Sequence, residues 1–587
     1  MSLSLLWFFF LFDLVVCQTV LTSQVDSFIN GLLAEWGSPG GISVAVVSPH
    51  TDGTWVVETK GYGTAKLSDN SSVTPDTLFP IASNSKHFTV IGTGLLISNE
   101  SIIPRISWDT PIASIIPTWG LADELASNKS TILDLMSHRT GLPGHDFMCK
   151  KNDTLASVTE RLKFLKPSVE FRERFQYTNT MYQTLGYLPE FLSTRTTLAR
   201  YVKENIFVPL GMNSTTYSFD VASQYHLAEG VARENFSVAN GLPGTGTPRS
   251  VPFYLKEHSD EDGNVMSGPA GIISNANDLA KWLQTLLLWG KHPITNETVI
   301  PEEILRKPAE GVTVMDSGLS GLLPPQVQSI LSPVVYGGGL RTSTYRGHII
   351  VEHDGYVHGA NSDMARLPFE NIGVAVMSND DDIGGNLVDI IKYRLIDEAL
   401  GLEPFDWNTA YQIQALALAD VSSSTSRPEN ASDPSVSFQS LSGTYNNPGY
   451  GNWTFCYLGP FNLSSEPECR DVVANSTVLL AGGINYSIPT MVAKIDAVLV
   501  DYVKLQHWSG NSFNVTGLLS MPTNDPNHPF WVKEISRSGF QAQFAKDENG
   551  NVGLAFNGGF WITDSEVEDP QGSTLEEEAE VWFVRHV

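Results

Sequence analysis

The sequence predicts an α/β (α+β) fold: an antiparallel sheet flanked by helices plus an all-helical subdomain, followed by a small all-β barrel. Three observations carry this reading. An amphipathic helix leads into a hairpin near the N-terminus; helical patterns fill the chain to about Met212 before β-like runs return between Val335 and Asn379; and short strand-like runs follow residue 437. At 587 residues the chain has room for two to four domains and a large core. With 42% hydrophobic and 17% charged residues it has the composition of a packed globular protein. The net charge of -28 repels phosphate backbones and anionic lipid surfaces, so no nucleic-acid partner is expected.

The elements follow in order. TVLTSQVDSFINGLLAEW puts Val25, Phe28, Ile29, Leu32, Leu33 and Trp36 on one helical face, and Gly37 with Pro39-Gly40 ends the helix. Two strand-like runs start at Gly41 and Thr54, joined by an Asp52-Gly53 turn. Residues 83 to 98 are apolar on nearly every face and predict a buried helix. The chain reads as loop from Asn240 to Gly268, then as a helix capped by Asn275 or Asn277. VVYGGGLRT, GHIIVEHDGY and ENIGVAVMSN complete the first sheet. Residues 420 to 436 lack apolar periodicity and predict a polar linker that few contacts cross. Beyond it, GTYNNPGYGNWTFCYL, STVLLAGG, YVKLQHW, GFQAQFAKD, NVGLAFN and AEVWFVRHV predict the barrel.

The opening residues, apolar from Leu3 to Val16, have the length of a secretory signal rather than of a membrane span, with cleavage expected near Cys17. Asp13 interrupts the run and no Lys or Arg precedes it, so an uncleaved anchor is the alternative. Thirteen N-x-S/T sequons, at Asn70, Asn99, Asn128, Asn152, Asn213, Asn235, Asn296, Asn430, Asn452, Asn462, Asn475, Asn485 and Asn514, also point to a secreted, extracellular glycoprotein. In that oxidising compartment Cys456 and Cys469 are expected to form a disulfide, leaving Cys149 unpaired. No CxxC or HExxH occurs. His353, Asp354 and His358 have no standard metal-ligand spacing, so no metal and no cofactor are expected. The absence of G-x-S-x-G argues against an α/β-hydrolase.

Chemistry is carried by three short segments. In Ser83-Asn84-Ser85-Lys86 the i, i+3 spacing brings an ammonium or amine to the Ser hydroxyl at the start of a buried helix, where burial and the helix dipole favour the neutral base. The second segment is Tyr177-Thr178-Asn179 and the third His353-Asp354-Gly355. In this order they resemble the S-x-x-K, S-D-N and K-T-G set of the serine β-lactamase and penicillin-binding-protein superfamily, with Y-x-N and H-x-G in second and third place. The closest likeness is to its esterase and D-aminopeptidase-like branch, peptidase family S12. LDLMSHRTGLPGHD, ENIFVPLGMNSTTYS and GPAGIISNANDLAKWL extend the resemblance over roughly residues 20 to 405. LSGTYNNPGYGNWTF resembles the lipocalin-like domain that follows some S12 members. The expected division is a signal at 1–17, a hydrolase domain at 18–405, a linker at 406–436 and a barrel at 437–587.

The resemblance implies that Ser83 is the acylated nucleophile, Lys86 its activator and Tyr177 the proton shuttle. Asn179 would orient the substrate and Lys86. His353 and Gly355 would form the substrate-facing third motif, with the Tyr356 N–H joining that of Ser83 as an oxyanion hole. His353 removes the fixed cation that a lactam's carboxylate would meet, so ester, lactone or amide hydrolysis of a small molecule is expected ahead of lactamase activity. An acyltransferase on the same machinery and a catalytically silent binding glycoprotein are the alternatives. After signal cleavage no membrane insertion is expected. The barrel is expected to serve substrate access, solubility or homo-oligomerisation, and a chain stopped near Ser423 to keep its chemistry.

Overall fold

Thr22 caps the first helix, Ser23–Trp36, through its side chain, and Gly37 ends it in the left-handed region at φ 63°. Val25, Ile29, Leu32, Leu33 and Trp36 are buried on one face, as the heptad-like spacing requires. The structure is a computed structural model that describes residues 19–586, apart from 51, 193, 239–240, 257–259, 317–326, 328, 422–426, 459–468, 473–486, 524, 536–538, 547–549, 551, 562–566 and 568. The expected signal, the STVLLAGG run and the sequons at Asn462, Asn475 and Asn485 lie outside the described residues.

The strands Gly41–Pro49 and Trp55–Lys66 form the expected hairpin, in register from Pro49 opposite Trp55 to Gly41 opposite Gly63. They belong to a nine-stranded antiparallel sheet. From the hairpin the order runs through Ile372–Ser378, Ala360–Leu367, His348–Val357, Arg341–Tyr345 and Val334–Tyr336 to Thr313–Asp316, with Ser71–Ser72 on the opposite edge. Gly41–Pro49 is buried at every residue but the last, because helices cover both faces. One face packs on Ser23–Trp36 and Gly384–Leu400, the other on Ser85–Ser98 and Ala276–Leu287. Asn275 is the cap of Ala276–Leu287, accepting from the Asp278 N–H.

The segment read as loop contains a hairpin instead, Gly230–Ser237 paired with Thr245–Val251. TGTPRSV escaped notice because it is exposed over most of its length and shows no apolar alternation. The expected linker likewise opens on a helix, Trp407–Val421, that belongs to the first sheet's helical layer. Trp407 stacks on Tyr393 at 4.1 Å between ring centroids and donates from Nε1 to Tyr345 Oη at 3.2 Å.

Eight strands close the barrel. In order they are Tyr502–Ser509, Thr490–Lys494, Gly451–Leu458, Gly443–Asn447, Val581–Arg585, Val552–Asn557, Gln541–Lys546 and Ser512–Pro522, which pairs back to the first. Phe530–Ile535 adds a ninth strand along Ser512–Pro522. Trp453, Phe455, Phe556 and Phe583 pack edge-to-face and tilted in its interior. Cys456 and Cys469 are bridged, and Cys149 is a buried free thiol.

Many contacts cross between barrel and first domain, contrary to expectation. The loop carrying Asp146–Met148 docks on the barrel: Phe147 packs on Phe540 and Phe560, and His145 Nδ1 lies 2.6 Å from the Tyr450 hydroxyl. The barrel loop after Thr490–Lys494 takes the next step, where Val498 N–H donates to Cys149 O at 2.9 Å. Phe147, Leu165, Tyr450 and Trp453 share one buried cluster. Polar linker composition reports on the connecting peptide alone, and the docking residues are scattered aromatics and aliphatics without local periodicity.

Candidate active site

Pro80 ends a short strand and the chain turns through Ile81 and Ala82 into a 3-10 turn, Ala82–Asn84, that continues as the helix Ser85–Ser98. Ala82 is held at φ 47°, a strained setting for a residue with a Cβ. Ser362 fixes the turn to the sheet: its Oγ donates to Ile81 O at 2.8 Å and accepts from Asn84 Nδ2 at 2.9 Å. Ser83 is thereby left partly open to solvent at the head of a helix whose first ten residues are all buried.

The structure brings the first two motifs together on the Ser83 hydroxyl. Lys86 Nζ lies 2.9 Å from Ser83 Oγ, and the Tyr177 hydroxyl lies 2.8 Å from the same atom. Lys86 is fully buried and also donates to Asn179 Oδ1 at 2.9 Å and to Pro269 O at 3.0 Å. Those two oxygens can only accept, so a neutral Lys86 that spends its two hydrogens on them turns its lone pair to the Ser83 hydroxyl. Asn179 heads the helix Asn179–Phe191, and Asp146 sets its amide: Nδ2 donates to Asp146 Oδ1 at 3.2 Å, which leaves Oδ1 for Lys86. Gly268 can reach its place beside Tyr182 because a Cβ there would sit 2.1 Å from Tyr182 O, and this close packing carries Pro269 O to Lys86.

The third motif lies on His348–Val357. A Cβ at Gly355 would meet Ile81 O at 2.4 Å and Ser83 N at 3.0 Å, so only glycine lets this strand press against the nucleophile's backbone. His353 is buried behind it. Its Nδ1 lies 2.5 Å from Asp354 O, a carbonyl that can only accept, so the proton is on Nδ1 and Nε2 accepts from the Tyr336 hydroxyl at 2.9 Å. Burial drives His353 down to about 3, with the Asp354 carboxylate opposing and Arg341 adding to the shift. The third position is therefore an uncharged imidazole. Tyr356 points out of the sheet, about half exposed, and its hydroxyl lies 3.1 Å from Asp381 Oδ1. Asp381 in turn pairs with Lys533 of the barrel at 2.6 Å. His358 Nε2 donates to Leu499 O of the barrel at 3.3 Å. The barrel thus grips both the Asp146 side and the Tyr356 side of the site.

His138, Asp146, Pro269, Tyr336 and Ser362 were not foreseen as site residues. His138 packs tilted against Tyr177, with ring centroids 4.5 Å apart, and accepts from the Thr178 N–H at 3.2 Å, so it positions the Tyr177-Thr178-Asn179 segment. His138 and Asp146 fall inside LDLMSHRTGLPGHD and Pro269 inside GPAGIISNANDLAKWL, so the signal was present as text without an assigned role.

Buried neutral histidines make the fold acid-sensitive. Burial lowers His353 to about 3 and His145 to about 4, and holds His87 and His138 well below the usual histidine value. The unfolded chain takes up protons near pH 6.5 and the folded chain does not, so stability is full above that value and falls as pH drops toward 4. Buried Asp363, Asp380 and Asp382, whose values burial raises, work in the opposite direction. The histidines outnumber them, and each contributes up to about 1.4 kcal/mol per pH unit. Melting temperature is expected to decline steadily from pH 7 to pH 4, and His145→Gln to flatten the decline. A flat profile in the parent would contradict the buried neutral assignment.

Residues 27–397 match the Beta-lactamase family model. The chain is 31% identical over 462 residues to the unguisins hydrolase ungD' of Aspergillus campestris, covering 76% of this chain and 79% of that one. It is 30% identical over 409 residues to the unguisins hydrolase ungD of Aspergillus violaceofuscus, covering 67% and 68%. In fold it is similar to the octameric penicillin-binding protein homologue from Pyrococcus abyssi, with a TM-score of 0.51 at 19% identity over 91% of this chain and 98% of that one. A match across the whole of the first sheet and most of its helices, joined to two relatives spanning most of the chain, places the protein in the beta-lactamase family.

Proposed function

We propose that the protein is a serine hydrolase that cleaves small ester, lactone or amide bonds through an acyl-Ser83 intermediate. The observation that carries this reading is the convergence of Lys86 Nζ and Tyr177 Oη on Ser83 Oγ, at 2.9 and 2.8 Å. In acylation Ser83 Oγ bonds to the carbonyl carbon and its proton passes to the Lys86 amine. The bond to the leaving group then breaks as Tyr177 protonates that group, and Lys86 returns a proton to Tyr177. Water repeats the sequence to release the acid, so that one water is added across the bond. The N–H groups of Ser83 and Tyr356 take the oxyanion, each worth about 3 to 4 kcal/mol of barrier.

The neutral His353 supports substrates without a carboxylate beside the scissile bond. A groove of about 690 Å³ beyond the end of His348–Val357 has a mixed lining, with Phe219, Phe253 and the barrel's Pro522 beside Lys66, Glu229, Arg249 and Lys256, and so sets no polarity for the acyl group. That two relatives are named hydrolases favours water over an alcohol or amine as the acceptor. Turnover on a panel of small esters, D-amino-acid amides and lactams tests the reading: cleavage of esters or amides ahead of lactams is expected, and no turnover of any would favour a silent binding protein. Tyr177→Phe is expected to lower turnover about 10²-fold or more with the fold intact, since general acid-base steps contribute that much. Activity at the parent level would remove Tyr177 from the proton path.

We also read the protein as a secreted glycoprotein. Every described sequon asparagine is exposed except the half-buried Asn514, and the Cys456–Cys469 bridge suits an oxidising compartment. Enzymatic deglycosylation of protein collected from the medium should reduce its mass in glycan-sized steps; unmodified protein retained inside the cell would count against this.

A further inference from the structure

Tyr177 is carried by the irregular stretch 165–178, between the 3-10 turn Leu162–Phe164 and the helix Asn179–Phe191. Its hydroxyl has to stay within hydrogen-bond distance of Ser83 Oγ all the same. The stretch runs antiparallel along residues 138–141. Ser168 N–H donates to Gly141 O at 3.1 Å, Arg172 N–H to Arg139 O at 2.9 Å and Gln176 N–H to His138 O at 2.7 Å. His138 and Arg172 both sit in the left-handed region, at φ 56° and 67°, so the pairing is bent and carries backbone strain. One carboxylate ties its two sides together. Asp134, fully buried on the short helix Ile132–Met136, accepts at Oδ1 from Arg139 Nε at 2.6 Å and from Arg172 Nε at 2.8 Å. Its Oδ2 accepts from Arg172 Nη2 at 2.7 Å and from the N–H and hydroxyl of Thr131 at 2.9 and 2.8 Å. Burial opposes the charge, yet Arg172 and Thr131 hold the carboxyl below its usual value.

An exposed ion pair contributes little. Here the carboxylate is buried and Arg172 meets it with two parallel N–H bonds, a geometry that fixes orientation as well as distance. Beyond Arg172 the chain reaches Tyr177 through Phe175, which packs edge-on against His138 and tilted against Tyr336. We propose that Asp134 and Arg172 form a clamp that positions the Tyr177 hydroxyl for proton transfer to the leaving group. The inference rests on the acyl-Ser83 reading and adds to it the pair that holds its acid in place. Asp134 and Arg172 act through Tyr177 and not on the reacting atoms, so they are positioning residues. A misplacement of about 1 Å in such a group costs on the order of 10²-fold in rate.

Arg172→Met removes the fork from a half-exposed side chain and leaves Asp134 with Arg139 and Thr131, so the fold should survive, as a melting curve reads. Proton donation matters most for a poor leaving group. With one acyl group offered as its methyl ester and as its p-nitrophenyl ester, Arg172→Met should lower kcat/KM about 10-fold or more on the methyl ester and less than about 2-fold on the p-nitrophenyl ester. Arg172→Lys keeps the charge and gives up the fork, so its loss on the methyl ester should fall between parent and Arg172→Met. In a Tyr177→Phe background there is no acid left to position, and Arg172→Met should then change the methyl-ester rate less than about 2-fold. Equal losses on the two esters, or a loss that adds to that of Tyr177→Phe, would make the pair a structural brace and overturn the proposal. Phosphonate labelling of Ser83 persists in either case, so the acyl-Ser83 reading fails only by its own test, a Ser83→Ala protein that still cleaves. If Arg172→Met does not fold, Arg172→Lys carries both comparisons.

Discussion

Ser83→Ala is expected to abolish labelling by an active-site phosphonate and to lower turnover of a small activated ester by at least about 10⁴-fold. The size of the effect follows from the geometry. Ser83 Oγ is the atom on which Lys86 and Tyr177 converge, at 2.9 and 2.8 Å. Removing it leaves a base and an acid with nothing to activate. The fold should survive, because Lys86 keeps Asn179 Oδ1 and Pro269 O, and the turn keeps its anchor at Ser362. Intact-mass measurement after phosphonate treatment reads the adduct directly, and a melting curve reads the fold. Labelling that persists in a folded Ser83→Ala protein would move the nucleophile elsewhere and end the acyl-Ser83 reading.

The part of this site that could be read in the sequence is the part encoded by local spacing. Ser83 and Lys86 stand one helical turn apart, and Tyr177 and Asn179 flank a single residue that enters a helix, so each pair has a fixed geometry before any tertiary contact forms. Gly355 belongs to the same class, since a glycine in an apolar strand signals close approach of another backbone, here Ser83 N. Asp146 and Pro269 escaped assignment because their work is done across the fold: Asp146 acts on an amide 33 residues away and Pro269 on an amine 183 residues away. The helix Trp407–Val421 was lost to a linker reading for a similar reason, as its one strong anchor, Trp407, is defined by the distant Tyr345 and Tyr393. The barrel strands were legible from alternation and turn residues, and their docking onto the site was not, because the interface is built from single residues of many elements.

That docking reverses the expectation for a chain stopped near Ser423, which should lose turnover on even the smallest ester. The loop that presents Asp146 is held by the barrel on both sides: His145 by Tyr450, Phe147 by Phe540 and Phe560, Cys149 O by the Val498 N–H and Lys151 by Asp501. Without the barrel Phe147 and Leu165 meet water, at about 1.5 to 3 kcal/mol for each side chain, and nothing fixes Asp146 against Asn179. Asn179 then loses its orienting partner and Lys86 the acceptor that aligns it. On the opposite wall, Asp381 loses Lys533 while it still holds the Tyr356 hydroxyl and the Gly359 N–H. Truncation alone could fail through misfolding, so Lys533→Met in the full chain supplies the second arm. It leaves the fully buried Asp381 carboxylate without its cation, a change that typically costs about 3 to 5 kcal/mol, and it should lower melting temperature and turnover together. Tyr450→Phe removes one hydrogen bond to His145 with little loss of packing and should lower kcat more than it raises KM. A folded truncation with parent-level turnover, or a Tyr450→Phe variant with unchanged kcat, would show that the barrel covers the site without holding it in place.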